Sequence, residues 1–159
     1  MLKYAIISII MYIPTDLSAG PVEEYFISEH GDWRAYKNYH VESDGYSCLI
    51  ATFDGRSSLT ALTDSDRYVH FMVKIDVAEP VVGVNLVLES GASYHASDQL
   101  VAFSSYEDRV AFIDALFSGY GQQILARKTI NDEALAKFSL SGAGMALSTL
   151  FECINEISN

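Results

Sequence analysis

Two cysteines, Cys48 and Cys153, stand 105 residues apart, and they are the only two in a chain of 159 residues. In an oxidising compartment such a pair closes into one disulfide. A bridge over so long a loop removes about 4 to 5 kcal/mol of unfolded-state entropy in the chain-entropy account. It also constrains the fold, because whatever element carries Cys48 must end up beside the one that carries Cys153. Neither cysteine has C-x-x-C spacing, so the expected role is a structural staple rather than redox exchange.

The amino terminus points to that compartment. Lys3 precedes a run of mostly apolar residues, 4–13, which Pro14 ends, and this is the size of a signal-peptide hydrophobic region. A membrane-spanning helix needs about 20 apolar residues, and Pro14, Thr15 and Asp16 cut this run short. Ser18, Ala19 and Gly20 then offer the small residues a signal peptidase accepts. The expectation is a signal peptide over 1–19, cut after Ala19 or after Gly20, and one domain over 20–159. A first β-strand is the competing reading of the same isoleucine-rich run. With the segment removed, no stable membrane anchor is expected, and the location is periplasmic or secreted.

About 140 residues then remain, enough for one hydrophobic core. The chain has 21 acidic against 10 basic residues, a formal net charge of −11. Such a surface repels phosphate backbones and anionic lipid, so nucleic acid is not an expected partner, whereas a basic protein is steered toward it.

Apolar residues recur mostly with a period of two, between Gly, Asp and Asn turn signals. Extended segments are predicted over 32–39, 46–53, 58–62, 68–76, 82–88, 93–96, 100–103, 122–128 and 134–140. The Asp44-Gly45 and Asp54-Gly55 steps mark hairpins. In 68–76, Phe71, Val73 and Ile75 fall on one face and His70, Lys74 and Asp76 on the other. Val82, Val84, Leu86 and Leu88 alternate in the same way. Ser104 and Glu107 have capping-box spacing, and a helix is expected from there to Gly119 with Val110, Ile113, Leu116 and Phe117 on its apolar side. Ser141 is the expected cap of a last helix to about residue 157, burying Ala146, Leu150, Cys153 and Ile157. The fold class is therefore mainly β: an antiparallel, sandwich-like domain with two helices, one of them C-terminal, and α+β as the alternative.

No catalytic constellation is legible. His30, His40, His70 and His95 show no metal-ligand spacing, and His40 with Asp44 or His95 with Asp98 are short-range pairs that turns produce freely. Ser139 and Ser141 beside Gly142 and Gly144 do not make a nucleophile elbow, and no phosphate-binding glycine loop occurs. No catalytic residue, metal or cofactor is assigned. Among ten tyrosines, Tyr36, Tyr39, Tyr46 and Tyr68 lie on or beside the expected strands, and the region from Trp33 to Tyr46 is the expected partner-facing surface. Trp33, Tyr36, Tyr46 and Tyr68 are the candidate partner-binding residues, since aromatic side chains give large contact area at low entropic cost. Trp33, as the only tryptophan, is also a core candidate.

The early Trp33, Cys48 followed by small residues, the helix over 112–119 and the ending F-S-L-S-G-x-x-x-A-L-x-x-x-x-x-C from Phe138 to Cys153 resemble the invasion-associated locus B family of small exported bacterial proteins. The resemblance implies an exported, non-enzymatic domain that binds a protein in the envelope or on a host and takes part in host association. The alternative is a periplasmic inhibitor or immunity-type protein that blocks a secreted hydrolase such as a lysozyme, inserting a loop at 63–67 or 89–93.

Overall fold

Glycine and aspartate close the hairpins of the first half of the chain. In this computed structural model, which describes residues 21–63, 68–79, 81–119 and 122–158, β1 (Val22–His30) turns at Gly31 into β2 (Trp33–His40), β2 at Asp44 into β3 (Gly45–Asp54), and β3 at Gly55 into β4 (Ser57–Thr63). Gly31, Asp44 and Gly55 have φ of 57°, 48° and 60°, the left-handed conformation that tight hairpins use and that Gly and Asp accept with little strain. Then follow β5 (Val69–Lys74), β6 (Val84–Leu88), β7 (Ser93–Ser97), β8 (Leu100–Val101), α1 (Tyr106–Ser118), β9 (Gln123–Lys128), β10 (Ala134–Ser139) and α2 (Ala143–Ile157). The expected signal peptide and residues 64–67 of one proposed inhibitory loop lie outside the described residues.

All the strands belong to one antiparallel sheet in the order β1-β2-β3-β4-β5-β8-β7-β6-β9-β10. The fold is mainly β with two helices, one C-terminal, as the sequence predicts. A single sheet of this length curls, and the curl lays β10 across β3 and β4, much as a second layer of a sandwich would lie. Asp54 fastens it, accepting the backbone N–H of Lys137 at 2.8 Å.

One face of each strand supplies the interior. Trp33 and Ala35 of β2, Cys48 and Ile50 of β3, Leu59 and Ala61 of β4, Val69, Phe71 and Val73 of β5, and Val84, Leu86 and Leu88 of β6 are buried in one continuous core. The period-two readings of β2, β5 and β6 therefore hold, except at Val82, which is exposed ahead of β6. The expected sequence strands do not include β1, an edge strand whose side chains are almost all exposed.

The helices cover this core, each with a shifted start. Ser105, not Ser104, caps α1 by accepting the N–H of Asp108 at 3.1 Å. The helix buries Phe112 and Leu116 and leaves Val110 and Phe117 largely exposed, a narrower face than the spacing predicts. Phe112 packs on Phe71, Tyr94 and Phe103. At α2 the cap is Gly142, not Ser141. The helix buries Ala143, Ala146, Leu147, Leu150, Cys153 and Ile154 against β1, β2 and β3. Cys153 is bonded to Cys48, so the staple joins the third strand to the last helix as expected.

Candidate binding surface

The staple determines which way the neighbouring side chains face. Cys48 points inward to α2, so Tyr46, two residues before it, lies on the same side of β3. Tyr46 pairs across the ladder with Tyr39, and their rings are 5.0 Å apart between centroids. The Nζ of Lys37 stands 4.7 Å from the Tyr46 ring centroid, and Lys37 in turn pairs with Tyr25 of β1. Beyond the buried apolar face of α2, these three tyrosines and one lysine form an exposed patch, with Tyr25 50% and Tyr46 48% accessible.

Carboxylates hold two of the phenols. The Tyr25 hydroxyl donates to Glu23 at 2.5 Å, and the Tyr39 hydroxyl donates to Asp44 at 2.7 Å. Each bond favours the protonated phenol, and together with the nearby negative charge it raises both pKa values above the usual tyrosine range. Tyr25 and Tyr39 are thus presented as oriented phenols beside carboxylates.

The sequence candidates do not converge on one site. Trp33 leaves the binding set and takes the core place that is its other reading: it is wholly buried, and its indole N–H donates to the carbonyl of Ser139 at 2.9 Å, so it anchors β2 to the entry of α2. Tyr36 lies on the opposite face of β2 from Tyr39, half-buried against Phe26 at 5.8 Å between ring centroids. Tyr46 is in the patch. Tyr68, 54% exposed, lines a separate cleft between β5 and the start of α1. Reasoning from sequence missed Tyr25, while Tyr39 lies inside the expected partner-facing region from Trp33 to Tyr46 but outside the four named candidates. Tyr25 and Glu23 share one face of an extended segment, the signal that a strand assignment for β1 would have exposed.

The histidine pairs read from sequence are replaced by others. His40 shares a hydrogen bond with Ser47 at 2.8 Å, His95 with Asn85 at 3.1 Å, and His30 with Thr149 of α2 at 3.0 Å. Among the described residues no group of three or more His, Cys, Asp or Glu converges as a metal site, and no helix is long and apolar enough to cross a membrane. The chain matches no family model, no curated protein and no solved structure.

Proposed function

We propose that this chain is an exported protein-binding domain of the cell envelope that uses the Tyr25, Tyr39 and Tyr46 patch to engage a partner with a basic surface. The observation that carries the reading is the pair of exposed phenols held by carboxylates on a sheet that a disulfide ties to its covering helix. Oriented tyrosines lose little entropy on contact, and a net charge of −11 accelerates encounter with a cationic partner. The resemblance to the invasion-associated locus B family extends the proposal to host association.

A second reading, inhibition of a secreted hydrolase such as a lysozyme, is favoured by the β6–β7 turn. There the Leu88 and Ala92 backbones are hydrogen-bonded at 2.9 Å, so Glu89 stands at the tip of a closed, exposed hairpin, a shape that suits entry into a cleft.

The test immobilises the oxidised protein and passes envelope and host-cell extracts over it, beside a Tyr39→Ser/Tyr46→Ser variant. Retention of a basic protein by the parent and its loss with the variant is the expected result. Equal retention by both defeats the tyrosine surface. Lysozyme inhibition that survives this variant but is lost with Glu89→Ala selects the second reading.

A further inference from the structure

The sheet is weakest at one seam. Strand β5 pairs with β4 from Ser58↔Lys74 to Thr63↔Val69, but it meets β8 only through Met72↔Leu100. Among the described residues, no strand pairs with Val69–Phe71 on the side away from β4. A cleft of about 270 Å³ opens there, lined by Tyr68, Phe103, Tyr106, Leu100 and Arg109 among others.

Arg109 brings a cation to this cleft. Its guanidinium carbon stands 3.7 Å from the Tyr68 ring centroid, and the group donates one N–H to the carbonyl of Val69. Among the described residues it forms no ion pair, as is also true of Lys37, Arg56, Lys74 and Lys137. A guanidinium has five N–H donors, so most remain available. The carbonyl and the ring restrain the guanidinium at the cleft, which lowers the entropic cost of a bidentate contact.

We propose that this cleft binds a carboxylate carried on an apolar or aromatic group, with Arg109 receiving the carboxylate and the walls of Tyr68, Phe103 and Tyr106 receiving the apolar part. Planar, two-pronged donation is the geometry carboxylates select. The volume, near the lower end of ligand pockets, accommodates one side chain with its acid group rather than an extended ligand. A net charge of −11 disfavours polyanions, and a single negative charge beside an apolar group is penalised least. The acid has two sources, the carboxyl terminus of a peptide or a free small aromatic acid. A peptide would also place its backbone along the open side of Val69–Phe71. The cleft is apart from the Tyr25–Tyr39–Tyr46 patch, and the proposal does not depend on that surface.

The probe is N-acetyl-phenylalanine, titrated into the oxidised chain while amide and Arg109 side-chain NMR resonances are followed, with N-acetyl-phenylalanine amide as the uncharged control. The acid should shift residues around Val69, Phe71, Leu100 and Arg109 with a Kd of about 1 mM. The amide should bind about tenfold more weakly. Equal affinity for acid and amide, or shifts confined to other regions, overturns the proposal on the unmodified chain, whatever the variants do. R109Q should erase the acid's advantage, and R109K should restore only part of it. A retained advantage in R109Q also overturns the assignment. Comparing 3-phenylpropionate with a tripeptide ending in phenylalanine identifies the source. Tighter peptide binding with slowed exchange of the Phe71 amide supports a chain terminus, and equal affinity supports a free acid.

Discussion

Gly142 sits where a side chain has no room. Its φ is +86°, and a Cβ there would lie 1.9 Å from the carbonyl oxygen of His30. This is where the β1–β2 hairpin meets the entry to α2: Asp32 N–H donates to the Ser141 carbonyl at 3.0 Å, and Trp33 donates to Ser139. Gly55 has a comparable φ of +60° but open space around it. The two positions therefore separate conformational strain from steric conflict. Gly55→Ala should cost about 1 to 2 kcal/mol, the left-handed penalty alone. Gly142→Ala should cost about 3 kcal/mol or more, because either the hairpin or α2 must move. Urea denaturation of both variants measures the difference, and equal losses would mean that the backbone relaxes freely around Gly142. From sequence, Ser141 is the natural choice of cap because its hydroxyl is visible in the chain, whereas the close approach that requires Gly142 comes from a strand more than a hundred residues earlier.

Strands with one buried face could be read directly, and elements without one could not. The alternation of Val69, Phe71 and Val73 in β5, and of Val84, Leu86 and Leu88 in β6, is the periodicity of a half-buried strand. Strand β1 carries no such signal, because it pairs on one side only and exposes Val22, Tyr25, Phe26 and Ile27 alike. The place of Tyr25 in the patch was hidden for the same reason, since it depends on the register between β1 and β2, whereas Tyr39 and Tyr46 meet across two strands that the sequence shows. For α1, two apolar stripes overlap, and the aromatic neighbours Phe71 and Phe103 decide that Phe112 turns inward. In α2 the stripe is clear, and Cys153 lies on it. That helix depends on the staple, because Cys48 and Cys153 are both buried and fasten its C-terminal half to β3. Replacing both cysteines by alanine should lower stability by about 2 to 5 kcal/mol. Hydrogen exchange should rise first in the second half of α2 while β3 and β4 stay protected. A uniform rise across sheet and helix would mean that α2 and the sheet open as one unit and that the bridge holds no element in particular.

At the scale of the whole chain, the reading of export joins features that are far apart in sequence and can be tested together. The disulfide links Cys48 to Cys153 and so spans most of the described core, which makes the oxidised state part of the fold rather than an ornament of its surface. Such a bridge forms outside the reducing cytosol, and the apolar run over residues 4–13, ended by Pro14, is the segment that would take the chain there. The two statements are independent chemically, one about thiols and one about a peptide bond near Ala19. Intact mass of protein recovered from the periplasm reads both in one spectrum. The expected species lacks residues 1–19 or 1–20 and resists alkylation until reductant is added, after which two thiols react. A full-length species with two free thiols would remove export, the staple and the envelope partner together. A trimmed species with free thiols would keep export while showing that α2 docks without its covalent tie, and the buried face from Ala143 to Ile154 would then carry the whole attachment.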